Sequence, residues 1–409
     1  MASLLQTYYD EVVQPLQWAV MDIQNTGILI DQPLMKDYYE KSIIQQKEIK
    51  DTLEVALGHK FNPNSPLQVQ ETYNNLGLEL GQSSDKLALI KCLRKVPQAK
   101  EFIEATIAYR QLGKLRGTYL SDKHICPDGR AHSEFRVYGT LTWRLSSRAI
   151  DLQNMPREEK HGINIKNIYT CPIGYSLVEL DYSQLEYRIP AYASRCKKLI
   201  DIFEHGENPH FHNASVLFER NIISKRGGEY DFAKRFKYAE GYGSGALGIA
   251  NHMLADTRVW TEPAKIKTFL EKMHSDTPEV YAWHDACWEQ ARKESVLYEG
   301  FGLPRYLYGH IDAFRGIGYS WPTQATASGI INRSLVRVAN YLRDIRWART
   351  ICQVHDSLLF EVADDKVDQF IREVKPLMEQ PTTIFDYPDV CFPTEAKVGK
   401  RWGSMEVWN

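Results

Sequence analysis

Cysteine is scarce and scattered in this sequence. The 409 residues include seven cysteines, an odd number, and no two of them form a CxxC pair. A disulfide framework or a zinc site built from such pairs is therefore not expected. Isolated thiols of this kind are typical of proteins that work in a reducing cytoplasm.

Long apolar runs are also missing. No stretch of 18 or more apolar residues occurs, and the N-terminal sequence has no basic segment followed by an apolar one. The sequence therefore predicts neither a membrane span nor a signal peptide. We expect a cytoplasmic protein that has no membrane partner.

An excess of one charge is the third absence. Lys and Arg number 50, Asp and Glu number 52, and the formal net charge is −2. This balance excludes a uniformly basic protein that coats nucleic acid. It does not exclude local binding of a phosphate backbone, because the net charge hides how the two signs are distributed along the chain.

The charges are in fact unevenly distributed. Residues 110–150 carry eight Lys or Arg against three Asp or Glu, and residues 361–395 carry nine acidic against three basic residues. Thr, Ser and Tyr are interleaved with the basic residues of 110–150. This mixture suits the gripping of a phosphate backbone. A solvated surface explains it equally well.

Length and local patterns predict the organisation of the chain. A chain of 409 residues corresponds to two to three compact units. A long helix is expected over 33–57, ending at Gly58, and another over about 98–119. Between them, Ser65 is placed to cap a helix that has Pro66 in its first turn.

Strand signals appear on both sides of a long helical stretch. Residues 176–181 read as a strand that ends at Asp181, and 351–362 read as a β-hairpin with His355 and Asp356 at its turn. Residues 206–300 between them are mostly helical. The pattern predicts an α+β catalytic unit in which the helical insertion forms its own subdomain.

Asp181 and Asp356 are the first candidates for chemistry. Each is most simply a turn or cap residue when it is taken alone. Together, two carboxylates on neighbouring strands can hold two Mg²⁺ ions for an in-line phosphoryl transfer. Such a site needs hard oxygen ligands and positively charged neighbours.

The segment YDFAKRFKYAEGYG at 230–243 offers those neighbours. On a helix, Lys234 and Tyr238 are four residues apart and share a face, which Tyr242 continues. Lys234 can pair with a phosphate, and Tyr238 can stack on a flat base. An ordinary amphipathic surface helix is the alternative for this spacing.

At this point the sequence resembles a known family. The chain carries, in order, DYSQLEYR at 181–188, KRFKYAEGYG at 234–243 and QVHDSLLFEV at 353–362. These segments resemble the three polymerase motifs of the family A DNA polymerases, the DNA polymerase I group. The resemblance covers about residues 18–409, and so many motifs in the family's order make a chance match implausible.

Four further segments agree with this resemblance. They are similar to the family's TxTGRLSS…NLQNIP segment, to its thumb sequence, to its DIHxxTAxxVF stretch and to the helix that enters the final palm section. In this chain they read TLTWRLSSRAIDLQNMP at 140–156, FNPNSPLQVQ at 61–70, GENPHFHNASVLF at 206–218 and QATASGIINRSL at 324–335.

The resemblance implies a right-hand polymerase fold of the α+β class, with an antiparallel palm sheet, a helical thumb and helical fingers. The implied boundaries are 1–160 for the N-terminal lead-in and thumb, 161–205 for the first part of the palm, 206–310 for the fingers and 311–409 for the second part of the palm. Within the first unit, the helical thumb begins near residue 20.

The resemblance also assigns roles around the metal site. Asp181 and Asp356 would be the metal-binding carboxylates for two Mg²⁺ ions, with Mn²⁺ able to substitute. Glu186 would obstruct a ribose 2′-hydroxyl, which implies that dNTPs rather than rNTPs are used. Arg188 would support the site.

Further roles concern the nucleotide and the DNA. Lys234 and His210 would lie at the triphosphate, and Tyr238 would stack beside the nucleotide sugar and base. The remaining implied DNA contacts are Tyr242 at the template–primer junction, Arg144 and Gln324 at the minor groove of the new base pair, and His355 near the primer terminus.

Four positions depart from the family pattern. Tyr230 stands where the fingers helix usually begins with an Arg that touches the outer phosphate, and Arg226 or Arg235 could compensate. Ser357 replaces the Glu that usually follows the HD pair, so a third acidic group is missing. The other departures are Trp143 and Ala239, each in place of a Gly.

The predicted function is that of a template-directed DNA polymerase that adds dNTPs to a primer 3′-hydroxyl in DNA replication or repair. Its partners would be primer–template DNA and dNTPs, the chain would be a monomer, and a separate exonuclease or replisome proteins are further candidates. The expected location is the cytoplasm of a bacterium or of a phage-infected host.

Two alternatives stay open. The first is a related single-subunit RNA polymerase, against which Glu186 argues. The second is a catalytically silent DNA-binding module of the same shape, which Ser357 and Tyr230 favour and the two retained metal carboxylates disfavour.

No intrinsic proofreading is expected, because the first 30 residues contain no DxE motif that could open a 3′–5′ exonuclease domain. A labelled primer with a mismatched 3′ end, incubated with Mg²⁺ and without dNTPs, should therefore keep its full length. Shortening of that primer on a sequencing gel would contradict the expectation.

Overall fold

The computed structural model describes residues 2–78, 80–93, 96–156 and 159–408. Its α-helices, in chain order, are α1 (Ala2–Tyr8), α2 (Gln14–Thr26), α3 (Gln32–Leu57), α4 (Pro66–Asn75), α5 (Lys86–Cys92), α6 (Lys100–Thr118), α7 (Leu185–Ala193), α8 (Lys197–Glu204), α9 (Pro209–Phe218), α10 (Glu229–Gly241), α11 (Ala246–Thr257), α12 (Pro263–Asp276), α13 (Pro278–Glu294), α14 (Arg315–Leu342) and α15 (Val367–Met378). A π-helical turn, Tyr9–Val13, joins α1 to α2.

Most strands have two to four residues, and all the longer strands belong to a single sheet. In chain order they are β1 (Ile28–Ile30), β2 (Arg130–Ala131), β3 (Glu134–Arg136), β4 (Ser146–Arg148), β5 (Tyr169–Thr170), β6 (Tyr175–Tyr182), β7 (Val296–Tyr298), β8 (Pro304–Tyr306), β9 (Ala348–Val354), β10 (Ser357–Ala363), β11 (Thr382–Ile384), β12 (Tyr387–Val390), β13 (Thr394–Gly399) and β14 (Glu406–Val407).

Local signals define the N-terminal helices. The Asp31 side chain accepts a hydrogen bond from the Leu34 amide at 3.0 Å and starts α3, which ends where Gly58 adopts a φ of 71°. The Ser65 hydroxyl caps α4 through the Gln68 amide at 3.3 Å. These starts and stops confirm the helices predicted from the sequence, because capping depends on residues only three or four positions apart.

The main sheet has the strand order β14-β13-β6-β10-β9, and each neighbouring pair is antiparallel. The strand predicted over 176–181 and the hairpin predicted over 351–362 are both confirmed, and they lie side by side in this sheet. The sheet therefore joins two segments that are distant along the chain, residues 175–182 and residues 348–407.

The two faces of this sheet have different surroundings. One face packs on α14 and α15, where the ring of Phe360 meets that of Phe370 at 4.9 Å and the Tyr182 hydroxyl lies 2.6 Å from the Ser334 hydroxyl. The other face carries Glu179 and Asp181 of β6 and Glu361 of β10, since side chains alternate along a strand.

A buried ion pair fastens the second face to the N-terminal part of the chain. Glu361 on β10 is completely buried and accepts two hydrogen bonds from Arg130, at 3.0 and 3.1 Å. Arg130 also donates to the Gly27 carbonyl at 3.1 Å, and Arg349 pairs with the same carboxylate. Burying a carboxylate is tolerated here because cations surround it.

The helical insertion α9–α13 confirms the prediction for residues 206–300. It has a core of its own, in which Phe236, Met253 and Phe269 are buried. This core holds α10 in place, so one face of α10 is buried and the other is exposed. Within the described residues, no helix combines the length and the apolar character needed to cross a membrane.

Candidate active site

The register of β6 and β10 brings Asp181 and Asp356 together. Asp181 pairs with Ser357, the residue after Asp356, and paired Cα atoms of antiparallel strands lie about 5 Å apart. The Tyr182 amide also donates to the Asp356 carbonyl at 3.1 Å. Both carboxylates are partly exposed. They stand at one edge of the sheet, as the sequence predicts.

Two glutamines hold the turn that presents Asp356. His355 adopts the left-handed conformation, with a φ of 53°, and the Gln353 amide group donates to its carbonyl. Gln153 in turn donates to the Gln353 side chain at 2.9 Å. Sequence reasoning missed this chain of amides because its members come from distant segments.

A cavity adjoins the same turn. It has a volume of about 230 Å³ and is lined by Leu152, Gln153, Asn154, Met155, Lys166, Val354 and His355. His355, the residue before Asp356, therefore opens onto this space.

The donor set fits a magnesium site completed by substrate. Mg²⁺ is commonly bound by one or two carboxylates together with water and substrate phosphates rather than by an all-protein cage. Asp181 and Asp356 supply two such carboxylates. The described residues contain no group of three or more His, Cys, Asp or Glu side chains arranged to hold a metal ion.

A carboxylate that sequence reasoning missed stands beside Ser357. The Ser357 hydroxyl donates to the Val354 carbonyl at 3.1 Å and lies 3.4 Å from an oxygen of Glu179. Glu179 precedes Asp181 by two residues and so shares its face of β6. The indole of Trp402 donates to Glu179 at 3.2 Å. The period-two spacing of Glu179 and Asp181 was the available signal.

Three of the predicted residues meet at Glu186. This side chain lies in the first turn of α7, where it forms an ion pair with Arg144 and accepts a hydrogen bond from the Tyr242 hydroxyl at 3.3 Å. The three come from separate segments of the sequence. Their contact closes a polar bridge between the segment around 144, α7 and the end of α10.

Helix α10 presents the predicted face to solvent. Lys234 and Tyr238 are exposed, whereas Ala233, Phe236 and Ala239 of the same helix are buried. Tyr242 follows at the C-terminal cap and is 45% exposed. The cation and the two flat rings are therefore accessible to a ligand approaching from that side.

His210 lies directly behind this face. It is buried in the first turn of α9, and its ring centroid is 6.2 Å from that of Tyr238 and 5.9 Å from those of Tyr187 and Tyr230. Burial, together with the positive charge of nearby Lys234, lowers the pKa of His210 to about 4. The imidazole is therefore neutral at pH 7.

Tyr230 is a packing residue at the start of α10. Its ring meets Phe211 at 4.6 Å, and its hydroxyl accepts a hydrogen bond from the Asn208 side chain at 3.1 Å. The ammonium of Lys225 lies 5.3 Å above the ring. Arg235 pairs with Asp256 at 3.3 Å.

A buried ion pair on the inner side of α10 was not predicted. Lys237 and Glu240 lie 2.8 Å apart, and the Lys237 ammonium sits 5.3 Å from the Tyr187 ring and 5.5 Å from the Tyr281 ring. Burial opposes both charges, yet the carboxylate keeps the pKa of Lys237 above its ordinary value and the ammonium keeps the pKa of Glu240 below its own. The pair ties α10 to α7.

Arg188 and Gln324 lie on different helices, α7 and α14. Arg188 is buried, donates to the Ser183 carbonyl at 3.0 Å and lies 4.5 Å above the Phe203 ring, so it supports the loop that follows Asp181. Gln324 is half-buried on α14, three residues after Trp321.

The basic segment 110–150 divides into internal and exposed charges. Five of its arginines have protein partners. They are Arg110 with Pro63 and Ser84, Arg116 with Gln46, Arg130 with Glu361, Arg136 with Glu134, and Arg144 with Glu186. Lys114, Lys123 and Arg148 are exposed. The charge excess is therefore not one continuous surface for a phosphate backbone.

An antiparallel sheet with two carboxylates at the ends of neighbouring strands, together with a helical insertion that exposes a Lys and a Tyr, is the architecture of the right-hand polymerases. The family model for DNA polymerase family A matches residues 32–404, and the chain belongs to this family. The resemblance stated from the motifs is thereby confirmed.

Similar proteins agree with this assignment. DNA polymerase I of Pseudomonas aeruginosa is 30% identical over 414 residues, which cover 96% of this chain and 44% of that protein. Thermostable DNA polymerase I of Thermus aquaticus is 28% identical over 417 residues, covering 96% of this chain and 47% of that protein. The chain thus spans about half the length of the curated relatives it matches.

A solved structure confirms the expected fold. The POL domain of Pol1 from M. smegmatis, in complex with DNA primer–template and dNTP, matches with a TM-score of 0.87 and 25% identity. The match covers 97% of this chain and 71% of that one.

The buried histidine gives a testable pH dependence. The unfolded chain takes up a proton at His210 near pH 6.5, whereas the folded protein does so only near pH 4. The free energy of unfolding therefore falls as the pH drops through this window. His284, whose pKa burial also lowers to about 4, adds to the fall.

His210→Gln should flatten this dependence. Urea unfolding at pH 7, 5.5 and 4.5 should show a smaller loss of stability for the variant than for the wild type. The variant His59→Gln, at an exposed position, serves as the control and should follow the wild-type curve. Parallel curves for His210→Gln and the wild type would contradict the assignment.

Proposed function

We propose that this chain is a template-directed DNA polymerase that extends a primer 3′-hydroxyl with dNTPs and releases pyrophosphate. One observation carries the proposal: the β6–β10 register sets Asp181 beside the turn that holds Asp356, in a chain of DNA polymerase family A. A similar solved structure contains primer–template DNA and a dNTP, which supports the same two substrates here.

Asp181 and Asp356 would hold two Mg²⁺ ions, with Mn²⁺ able to substitute. When bound, such ions favour ionisation of the attacking hydroxyl and stabilise the charge that develops on the leaving oxygen. The two carboxylates suit this role because both are partly exposed and come from strands that are hydrogen-bonded to each other.

The chain's own side chains would position the nucleotide. Lys234 supplies an exposed positive charge for the triphosphate, and Tyr238 offers an aromatic face for the sugar and base. Neutral His210 lies behind both and keeps Tyr238 supported by ring contact. Holding the reactants in line lowers the entropic cost of the reaction.

Residues around Glu186 would read the sugar and the new base pair. Arg144 and Tyr242 fix the Glu186 carboxylate, which suits obstruction of a 2′-hydroxyl. Arg144 and Gln324 would reach the minor groove, and His355, beside its polar cavity, would lie near the primer terminus.

Other features of the proposal concern the whole protein. We infer a monomer that acts in the cytoplasm in DNA replication or repair. A separate exonuclease and replisome proteins are candidate partners.

Asp181→Ala should reduce primer extension by about 10³-fold or more, because several kcal/mol of charge stabilisation depend on the metal site. Extension of a labelled primer on a gel measures the loss. Primer–template binding, followed by fluorescence anisotropy, should stay close to the wild type. Asp365→Ala, at an exposed site beyond the far end of β10, is the matched control and should keep full activity.

Wild-type extension by Asp181→Ala would refute the catalytic assignment. An inactive wild-type protein that binds primer–template DNA would instead support the silent DNA-binding alternative.

The RNA polymerase alternative is tested at Glu186. The wild type should incorporate dNTPs in strong preference to rNTPs, and Glu186→Ala should raise relative rNTP incorporation by about tenfold, because an obstructing group is removed. Single-nucleotide insertion kinetics with dATP and ATP opposite the same template base measure both values. Equal use of the two nucleotides by the wild type would overturn the preference for DNA synthesis.

A further inference from the structure

Trp143 has an unusual backbone conformation for its side chain. Its φ is 60°, in the left-handed region that favours glycine, and a Trp there carries a conformational cost. The next residue is Arg144, whose guanidinium meets Glu186. The backbone at Trp143 therefore sets the direction from which Arg144 reaches the site.

An aromatic stack surrounds the Trp143 side chain. Its ring lies 5.6 Å from that of Tyr8, at an interplanar angle of 30°, and 6.2 Å from that of Trp321, edge to face. Tyr8 belongs to the N-terminal helix α1, and Trp321 belongs to α14. Ring pairs at these distances are favourable beyond their buried area.

Tyr8 is itself held on its other side. The guanidinium of Arg333 lies 5.2 Å from the Tyr8 ring and 3.7 Å from the Phe301 ring. Burial raises the pKa of Tyr8 to about 12, so its hydroxyl stays neutral. The N-terminal helix is therefore anchored to α14 at the point where Tyr8 meets Trp143.

Hydrogen bonds fix the backbone on both sides of Trp143. The Asn332 side chain donates to the Trp143 carbonyl at 3.1 Å, and the Trp321 indole donates to the Leu141 carbonyl at 2.7 Å. The Thr140 hydroxyl donates to the Arg144 carbonyl at 2.9 Å. The segment from Thr140 to Arg144 is thus held at three points, the carbonyls of Leu141, Trp143 and Arg144.

We propose that Trp143 is a positioning residue: stacked between Tyr8 and Trp321, it locks the segment 140–145 so that Arg144 is held against Glu186. This inference rests on the polymerase function proposed above. It makes the N-terminal helix part of the support of the nucleotide site, although α1 contributes no side chain to that site.

The physical reason lies in the freedom of the backbone. A glycine at position 143 would adopt the same φ without strain, but it would leave the segment free to sample other conformations. The indole removes that freedom. If the backbone of Trp143 left the left-handed region, the indole would lose its contacts with Tyr8 and Trp321. Arg144 is then already in place against Glu186 when a nucleotide binds. No conformational entropy of the segment is lost at each nucleotide addition.

The first experiment measures the lock without using activity. Hydrogen–deuterium exchange of residues 140–145, read by mass spectrometry, should become about tenfold faster in Trp143→Gly and in Tyr8→Ala. Trp143→Phe keeps a ring in the stack and should exchange like the wild type. Tyr9→Ala, which removes the neighbouring exposed tyrosine, is the matched control and should also be unchanged.

The second experiment tests whether Trp143 acts through Arg144. Trp143→Gly should raise KM for dNTP by about tenfold with a smaller change in kcat, because nucleotide positioning is affected more than the chemical step. Trp143→Phe should restore KM. In an Arg144→Ala background, Trp143→Gly should have no further effect on KM.

The outcomes separate this inference from the proposed function. Unchanged exchange in both Trp143→Gly and Tyr8→Ala would overturn the lock, whatever the activity of the protein. Equal effects of Trp143→Gly with and without Arg144 would overturn the route through Arg144. A wild-type protein without polymerase activity would refute the proposed function. The hydrogen-exchange result would still show whether Trp143 restrains residues 140–145.

Discussion

The antiparallel register between β6 and β10 is the constraint on which the rest of the site depends. It pairs Asp181 with Ser357 and sets the Asp356 turn against the end of β6. A slip of one residue would send every side chain of one strand to the opposite face. The register is secured on one face by the packing of Phe360 on α15, and on the other by the buried Glu361 and its two arginines. The carboxylates are therefore placed by the packing of the whole sheet.

Charged side chains have a structural role as well as a functional one in this molecule. Arg130 and Glu361 join the N-terminal strands to the main sheet. Lys237 and Glu240 both lie on α10, and the Lys237 ammonium contacts the Tyr187 ring of α7. Each pair is buried, so removing one partner would leave an uncompensated charge. The exposed cation Lys234 lies on the same helix as the buried Lys237. One helix thus supplies both the outward charge for a ligand and the inward charge that fixes its own position.

Local features were predictable, whereas distant contacts were not. The cap at Ser65, the helix end at Gly58 and the exposed face of α10 depend on residues within one or two turns, and they agree with the sequence analysis. The amides of Gln153 and Gln353 meet only because the turn at His355 packs on a segment 200 positions earlier. Glu179 could have been found from its period-two spacing with Asp181. Its contact with Ser357 needed the strand register. Trp143 was visible as a departure from the family pattern, but its left-handed backbone was not.

The sequence by itself determined the family and the α+β right-hand fold, and it proposed the residues that would bind metal, nucleotide and DNA, because these follow from short motifs in a fixed order. The tertiary structure alone decided which charges face outward. Five arginines of the basic segment 110–150 have partners within the protein, so the charge count overstated the surface available to a phosphate backbone. The physical reason is that folding brings each arginine within hydrogen-bond distance of an acceptor, a carboxylate for three of them and a neutral oxygen for the other two. Their separation along the chain does not reveal that distance.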